Sequence, residues 1–140
     1  MNLTMSFGKP SLHIEEPTAA RSKSPAAQRR ATRRHVTVRG QWWLWLFCCH
    51  WQLKQNDVTL ATGSSSMRRI ELGLKQLDGQ KLVSVTVDAE TGRTRFLFDL
   101  GCELMCRRFE RGSDSDVWTL YGPGDEILSV TGQGTVIEGK

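Results

Sequence analysis

One run of eight consecutive apolar residues, Trp42 to Cys49, restricts this chain more than anything else in it. It lies inside VTVRGQWWLWLFCCHW, residues 36–51, which is dense in aromatic and β-branched side chains and therefore favours strand over helix. Eight residues fall far short of the roughly 20 that cross a bilayer as a helix. The apolar residues do not alternate with polar ones, so the run predicts a strand covered on both faces, as a central strand is. The rings of Trp42, Trp43, Trp45, Phe47 and Trp51 are expected to build the core beneath a helix. Their other use would be a platform for bases or sugars, but single-strand binders combine such rings with a basic groove. A ring left exposed would be an anchor for a protein partner.

The flanking pattern extends this strand into a fold. Trp51 and Leu53 alternate with polar neighbours, Lys54 to Asp57 reads as a turn, and Val58 to Ala61 reads as the return strand of a hairpin. After Gly63-Ser64-Ser65-Ser66, the residues Met67, Ile70, Leu74 and Leu77 make one apolar stripe at helical spacing. A serine caps the start, and Gly79 supplies the left-handed residue that ends the helix. The remainder reads as a meander. Its strands lie at Val83–Val87, Phe96–Leu100, Cys102–Cys106, Val117–Tyr121 and Ile127–Val130, with Thr135–Ile137 as a last short one and Arg111–Asp116 as a polar loop. No strand–helix–strand crossover repeats along the chain. The expected class is α+β: an antiparallel sheet (hairpin, one helix, β-meander) with the single helix packed on one face.

Charge divides the chain differently. Residues 1–41 hold eight Lys/Arg against two Glu, a net of +6, whereas residues 42–140 hold eleven against thirteen, a net of −2. The basic pI thus belongs to the first segment, and a nucleic-acid-binding face is not expected on the rest. Residues 1–35 mix Ser, Pro, Ala, Gln and Arg without periodicity and are expected to be a disordered basic tail, with residues 36–140 a single α+β domain. Arg29, Arg30, Arg33 and Arg34 form a cluster that could touch nucleic acid, an acidic partner or an anionic membrane. Alternatively, the tail is a targeting segment or follows a misassigned start. No secretory h-region is expected among the first 35 residues, and with no disulfide framework a reducing, cytoplasmic location is expected.

Residues able to do chemistry are few. Cys48-Cys49-His50 and Cys102-x-x-x-Cys106 invite a zinc reading, but adjacent strand residues face opposite ways, and Cys102 and Cys106 stand about 13 Å apart on one strand. The same geometry keeps His50 from activating Cys49. Asp88 and Glu90 sit in a turn signature, and Asp99 and Glu103 are better placed to pair with Arg95 and Arg107 than with each other. Gly122-Pro123-Gly124 lacks the Lys-Ser/Thr and helix of a phosphate loop. No enzyme motif, catalytic residue, metal ligand or cofactor site is expected.

Several segments resemble those of an uncharacterised family of small bacterial α+β proteins. They are Trp43–Trp51, Leu77–Leu82, Phe96–Gly101 and Trp118–Tyr121, and the resemblance spans residues 40 to about 135. This chain departs from the pattern at Cys102, where a second glycine tends to follow Asp-Leu-Gly. The resemblance implies a build shared, at fold level, with immunity proteins of toxin systems. The expected function is thus a non-enzymatic protein-binding or accessory domain, in its sharpest form a toxin-neutralising immunity protein. The alternative is a nucleic-acid-associated protein that binds through its Arg-rich tail. The expected partner is another protein, with nucleic acid reached only by the tail and no membrane span.

Overall fold

The apolar run does not stay in one sheet. The computed structural model describes residues 2–19, 24–47, 49–109 and 115–139. Its first half contains β1 (Leu3–Phe7), β2 (Ser11–Glu15), α1 (Pro25–Ala31), β3 (His35–Arg39), β4 (Trp42–Leu46), β5 (Cys49–Gln55) and β6 (Val58–Thr62). There follow α2 (Met67–Leu74), β7 (Leu82–Val87), β8 (Thr94–Phe98), β9 (Cys102–Arg108), β10 (Asp116–Tyr121), β11 (Ile127–Thr131) and β12 (Val136–Gly139). Between β4 and β5 the chain passes from one five-stranded sheet, ordered β1-β4-β10-β11-β12, into a second, ordered β6-β5-β9-β8-β7. Every pairing in both is antiparallel.

The two sheets share one core. Leu44, Leu46, Trp118 and Val130 from the first meet Cys49, Trp51, Leu53, Phe96, Leu104 and Cys106 from the second in a single buried cluster. The Phe96 and Trp118 rings meet edge to face at 5.6 Å, and Phe7 and Phe98 stack at 6.4 Å, one ring from each sheet in both pairs. The indole N–H of Trp118 donates to Thr94 Oγ1 at 2.8 Å, and that hydroxyl donates onward to the Gly92 carbonyl. The Arg108 guanidinium donates to the Gly132 carbonyl.

This arrangement corrects the expected α+β class: the fold is mainly β, with three sheets and two short helices among the described residues. The reason lies in the apolar run. Its missing alternation comes from a change of sheet and from aromatic residues on an outer face, not from one strand covered on both sides. The helix likewise covers no sheet face. α2 packs on β6, an edge strand, where Gly73 lets the helix approach so closely that a Cβ there would lie 3.1 Å from that of Ala61. Its C-terminal turn faces β1, the edge strand of the other sheet, across a cavity of about 330 Å³. Trp45 is not beneath it.

At the helix start the expectation holds: Ser66 Oγ accepts from the Arg69 amide. The end is corrected: α2 stops at Leu74 with Lys75 as a right-handed cap, and Gly79, with φ +81°, closes the turns that follow. Ile70 is buried and Leu74 and Leu77 pack against the core, whereas Met67, at the head of the stripe, is exposed. The β5–β6 turn tightens to Asn56 and Asp57, both with positive φ, the geometry two-residue hairpins prefer. The segment expected to be a disordered tail instead supplies β1, β2 and α1. β1 pairs with β4 over five positions, Leu3 to Phe7, and Leu3 is buried in the core. The polar loop expected over 111–116 falls largely outside the described residues. Among the described residues, no helix is long and apolar enough to cross a membrane.

Two stability outcomes follow from this packing. Ile70→Ala is expected to cost about 3 kcal/mol and Leu74→Ala about 2 kcal/mol, through lost burial and cavity formation. Leu72→Ala, on the exposed side of α2, should cost no more than about 0.5 kcal/mol in the same denaturant titration. A chain starting at residue 35 loses β1 with Leu3, Met5 and Phe7. Its melt should fall by about 3 kcal/mol or more, or lose its cooperativity; an unchanged melt would show that β1 contributes nothing to the core.

Candidate functional site

Strand residues alternate between faces, so pairing register fixes which side chains stand together on the outer face of the β1-β4-β10-β11-β12 sheet. One cross-strand row runs Ser6, Trp43, Tyr121, Ile127. The next runs Thr4, Trp45, Thr119, Ser129, Ile137. Neither row carries a carboxylate, an amine, a guanidinium or an imidazole. The two rows are rings, hydroxyls and aliphatic groups, and the Asp116 carboxylate reaches the second row at one point, accepting from the Thr119 hydroxyl at 3.5 Å.

The rings form a continuous ladder. Trp43 and Trp45, two residues apart on β4, lie with centroids 6.2 Å apart and planes within 4°, close to the rise of two strand residues. Tyr121 on β10 stacks against Trp43 at 5.3 Å, and Phe47, just past β4, meets Trp45 at 5.3 Å with a tilt of 56°. Trp43 is 43% exposed and Phe47 38%. Thr119 and Ser129 are buried on the same face and share a hydrogen bond of 2.9 Å between their hydroxyls. The expected core placement of these aromatics is thereby corrected. Trp51 and the leucines of the run are inside, while Trp43, Trp45 and Phe47 face outward. Trp42, on the inner parity, is half-buried beside a cavity at the end of the sheet with Glu126, Leu128 and Glu138. Parity was the signal available: in Trp118-Thr119-Leu120-Tyr121 the aromatic and aliphatic positions fill both faces, as they do in Trp42 to Leu46.

The other sequence-derived candidates scatter. Arg29 and Arg30 lie in the last turn of α1, Arg33 is exposed just beyond it, and Arg34 is bound to the Glu16 carboxylate at 2.9 and 3.0 Å. The four thus do not converge on one anion-sized point with their charges free. Cys49, Cys102 and Cys106 face the interior of the β6-β5-β9-β8-β7 sheet. His50 faces out against the Phe109 ring at 4.3 Å. Cys48 lies outside the described residues. Among those described, no three His, Cys, Asp or Glu side chains come together as a metal site.

The carboxylates named above have structural partners. Glu103 takes a fork of two bonds from Arg95, at 3.1 and 3.0 Å, and this partner holds its carboxyl below the usual range. Asp99 accepts from the Lys81 amide. Asp88 accepts the amides of Glu90 and Thr91, which holds it low in the same way. None faces another carboxylate, so no acid–base pair is assembled by them.

The Cys49–Cys106 hydrogen bond and burial together set the thiols, with Cys49 lowered by that bond and its partner raised. The Cys106 thiol is pushed up by its hydrogen bond with Cys49 and then by burial. Burial pushes Cys102 up as well, against the Gln80 amide that donates to its sulfur at 3.1 Å. A thiol held protonated is a poor nucleophile.

No family model, curated protein or solved structure matches this chain.

The thiol environment is directly testable. Cys102 and Cys106 should resist iodoacetamide in the native protein, and their alkylation, mapped by peptide mass, should follow the unfolding transition. Rapid native labelling of Cys106 would contradict its place in the sheet interior.

Proposed function

We propose that this chain is a non-enzymatic protein-binding domain that docks through the outer face carrying the Tyr121–Trp43–Trp45–Phe47 ladder. The observation that carries the reading is a partly exposed, uncharged aromatic ladder on paired strands. Tryptophan and tyrosine concentrate in the energetic centres of protein interfaces, because a large rigid surface loses little conformational entropy on binding. Strand pairing on both sides of β4 pre-orders the rings and lowers the cost of association further.

The rival uses of an aromatic face fit less well. A base-stacking site needs cations along the phosphate path, and the two rows have none. A neutral glycan would bond to hydroxyls beside the rings; the buried pair Thr119 and Ser129 is engaged with itself, which leaves Thr4, Ser6 and Tyr121 at the margins of the ladder. The sharper version of the proposal is a cytoplasmic immunity protein. On this face it would neutralise a toxin by aromatic contact rather than by presenting carboxylates to a basic nuclease.

The test compares the full chain with its Trp43→Ala and Tyr121→Ala variants against a candidate partner, such as the product of a neighbouring gene, by titration calorimetry. Each substitution should weaken binding about thirtyfold or more, as loss of a hot-spot ring does. Both variants should remain folded at the titration temperature by circular dichroism, because Trp43 is partly exposed and Tyr121 lies outside the buried core. Binding unchanged in both variants, or tryptophan quenching by an oligosaccharide or oligonucleotide instead, would count against the reading.

A further inference from the structure

We propose that the arm formed by β2, α1 and β3 is a docking element for an anionic lipid surface. β2 and β3 continue the β1–β4 ladder past a break at residues 8–10 and 40–41 and, among the described residues, pair only with each other. One face of this ribbon is wholly aliphatic: Leu12 stands opposite Val38 and Ile14 opposite Val36. The four are 68%, 68%, 52% and 54% exposed, and none belongs to the core or packs against it. A two-stranded hairpin is marginal in water unless a further strand or an apolar surface covers it. The face therefore has the chemistry of something that is covered in use.

Charge selects the occupant. The arm's two carboxylates are both engaged, Glu15 by Arg39 at 3.3 Å and Glu16 by Arg34 at 2.9 Å. Lys9, Arg29, Arg30 and Arg33 are exposed, and among the described residues none of them pairs with a carboxylate. An exposed aliphatic face on an arm that also carries exposed cations matches the two requirements of an interfacial element, apolar burial at the headgroup boundary and attraction to anionic lipid. A nucleic acid would use the cations and leave the aliphatic face without a role, since stacking needs rings. A second arm would bring the same positive charge to the contact. The aliphatic face also amounts to only a few hundred Å², below the roughly 800 Å² per partner of a stable specific interface.

The experiment is co-sedimentation of the full chain with phosphatidylcholine vesicles, with and without phosphatidylserine, at low and high salt. The chain should sediment with the phosphatidylserine vesicles and not the neutral ones, and high salt should release it. Arg29→Gln, Arg30→Gln and Arg33→Gln together should weaken partition about a hundredfold. Val36→Ser with Val38→Ser should weaken it about tenfold. Leu12→Ser reads the same face from the opposite strand should the double variant not fold. Absence of phosphatidylserine-dependent sedimentation overturns the proposal. So does binding that needs the arginines but is indifferent to Val36, Val38 and Leu12, because that is the signature of a purely electrostatic, nucleic-acid-type arm. A dimer in gel filtration that the valine substitutions abolish assigns the face to a second copy and overturns it as well. Trp43→Ala should leave sedimentation unchanged, which separates this outcome from the fate of the aromatic-face reading.

Discussion

Trp118 is gripped from the opposite sheet in two ways at once. Its ring lies against the edge of Phe96, and its N–H is received by the buried Thr94 hydroxyl. A buried indole that lacked this acceptor would cost the desolvation of its donor, so the hydrogen bond fixes how one sheet sits on the other. Trp51 shows the contrast: its Nε1 is buried with no hydrogen-bond partner among the described residues, and the ring is held by packing. With Trp118 placed, β10 is placed. β4 then lies beside it, and the outward parity of Trp43 and Trp45 is no longer free to vary.

How much of this was legible in the residues depended on whether the signal was local. The Asn56-Asp57 turn, the Ser66 cap, the Ile70–Leu74–Leu77 stripe and the strands from β8 to β11 were readable because each is set by near neighbours. The change of sheet between Leu46 and Cys49 was not readable in that way. Periodicity reports which residues are apolar, not which partner strand they meet, and a face of exposed tryptophans looks like a buried one in composition. Met67 failed for a related reason. Helical spacing put it on the stripe, but α2 leans on an edge strand, and the contact surface ends before reaching its first residue.

The first 35 residues were misread for an energetic reason. They lack the apolar content to fold alone, which is what composition measures. β1 gains its order from β4, a strand more than 30 residues away, and Leu3 is buried among side chains supplied by the rest of the chain. The candidate site followed the same logic. The Arg cluster stood out as a pattern of charge, whereas the aromatic ladder needed the cross-strand register of β4 and β10 to become a surface.

The long hairpin also has a mechanical reading. Gly40 lies so close to the Phe7 backbone that a side chain there would overlap it, so the bend between ribbon and sheet is defined by close packing, not left slack. A pull on the ribbon is passed along the strand axis into β4. β1 is loaded alongside it through β2, so the four cross-strand pairs of β4 with β10, lying across that direction, bear the load together in shear, not peeled apart singly. The projecting end is thus tethered to the middle of the sheet, where rupture requires many bonds to yield at once.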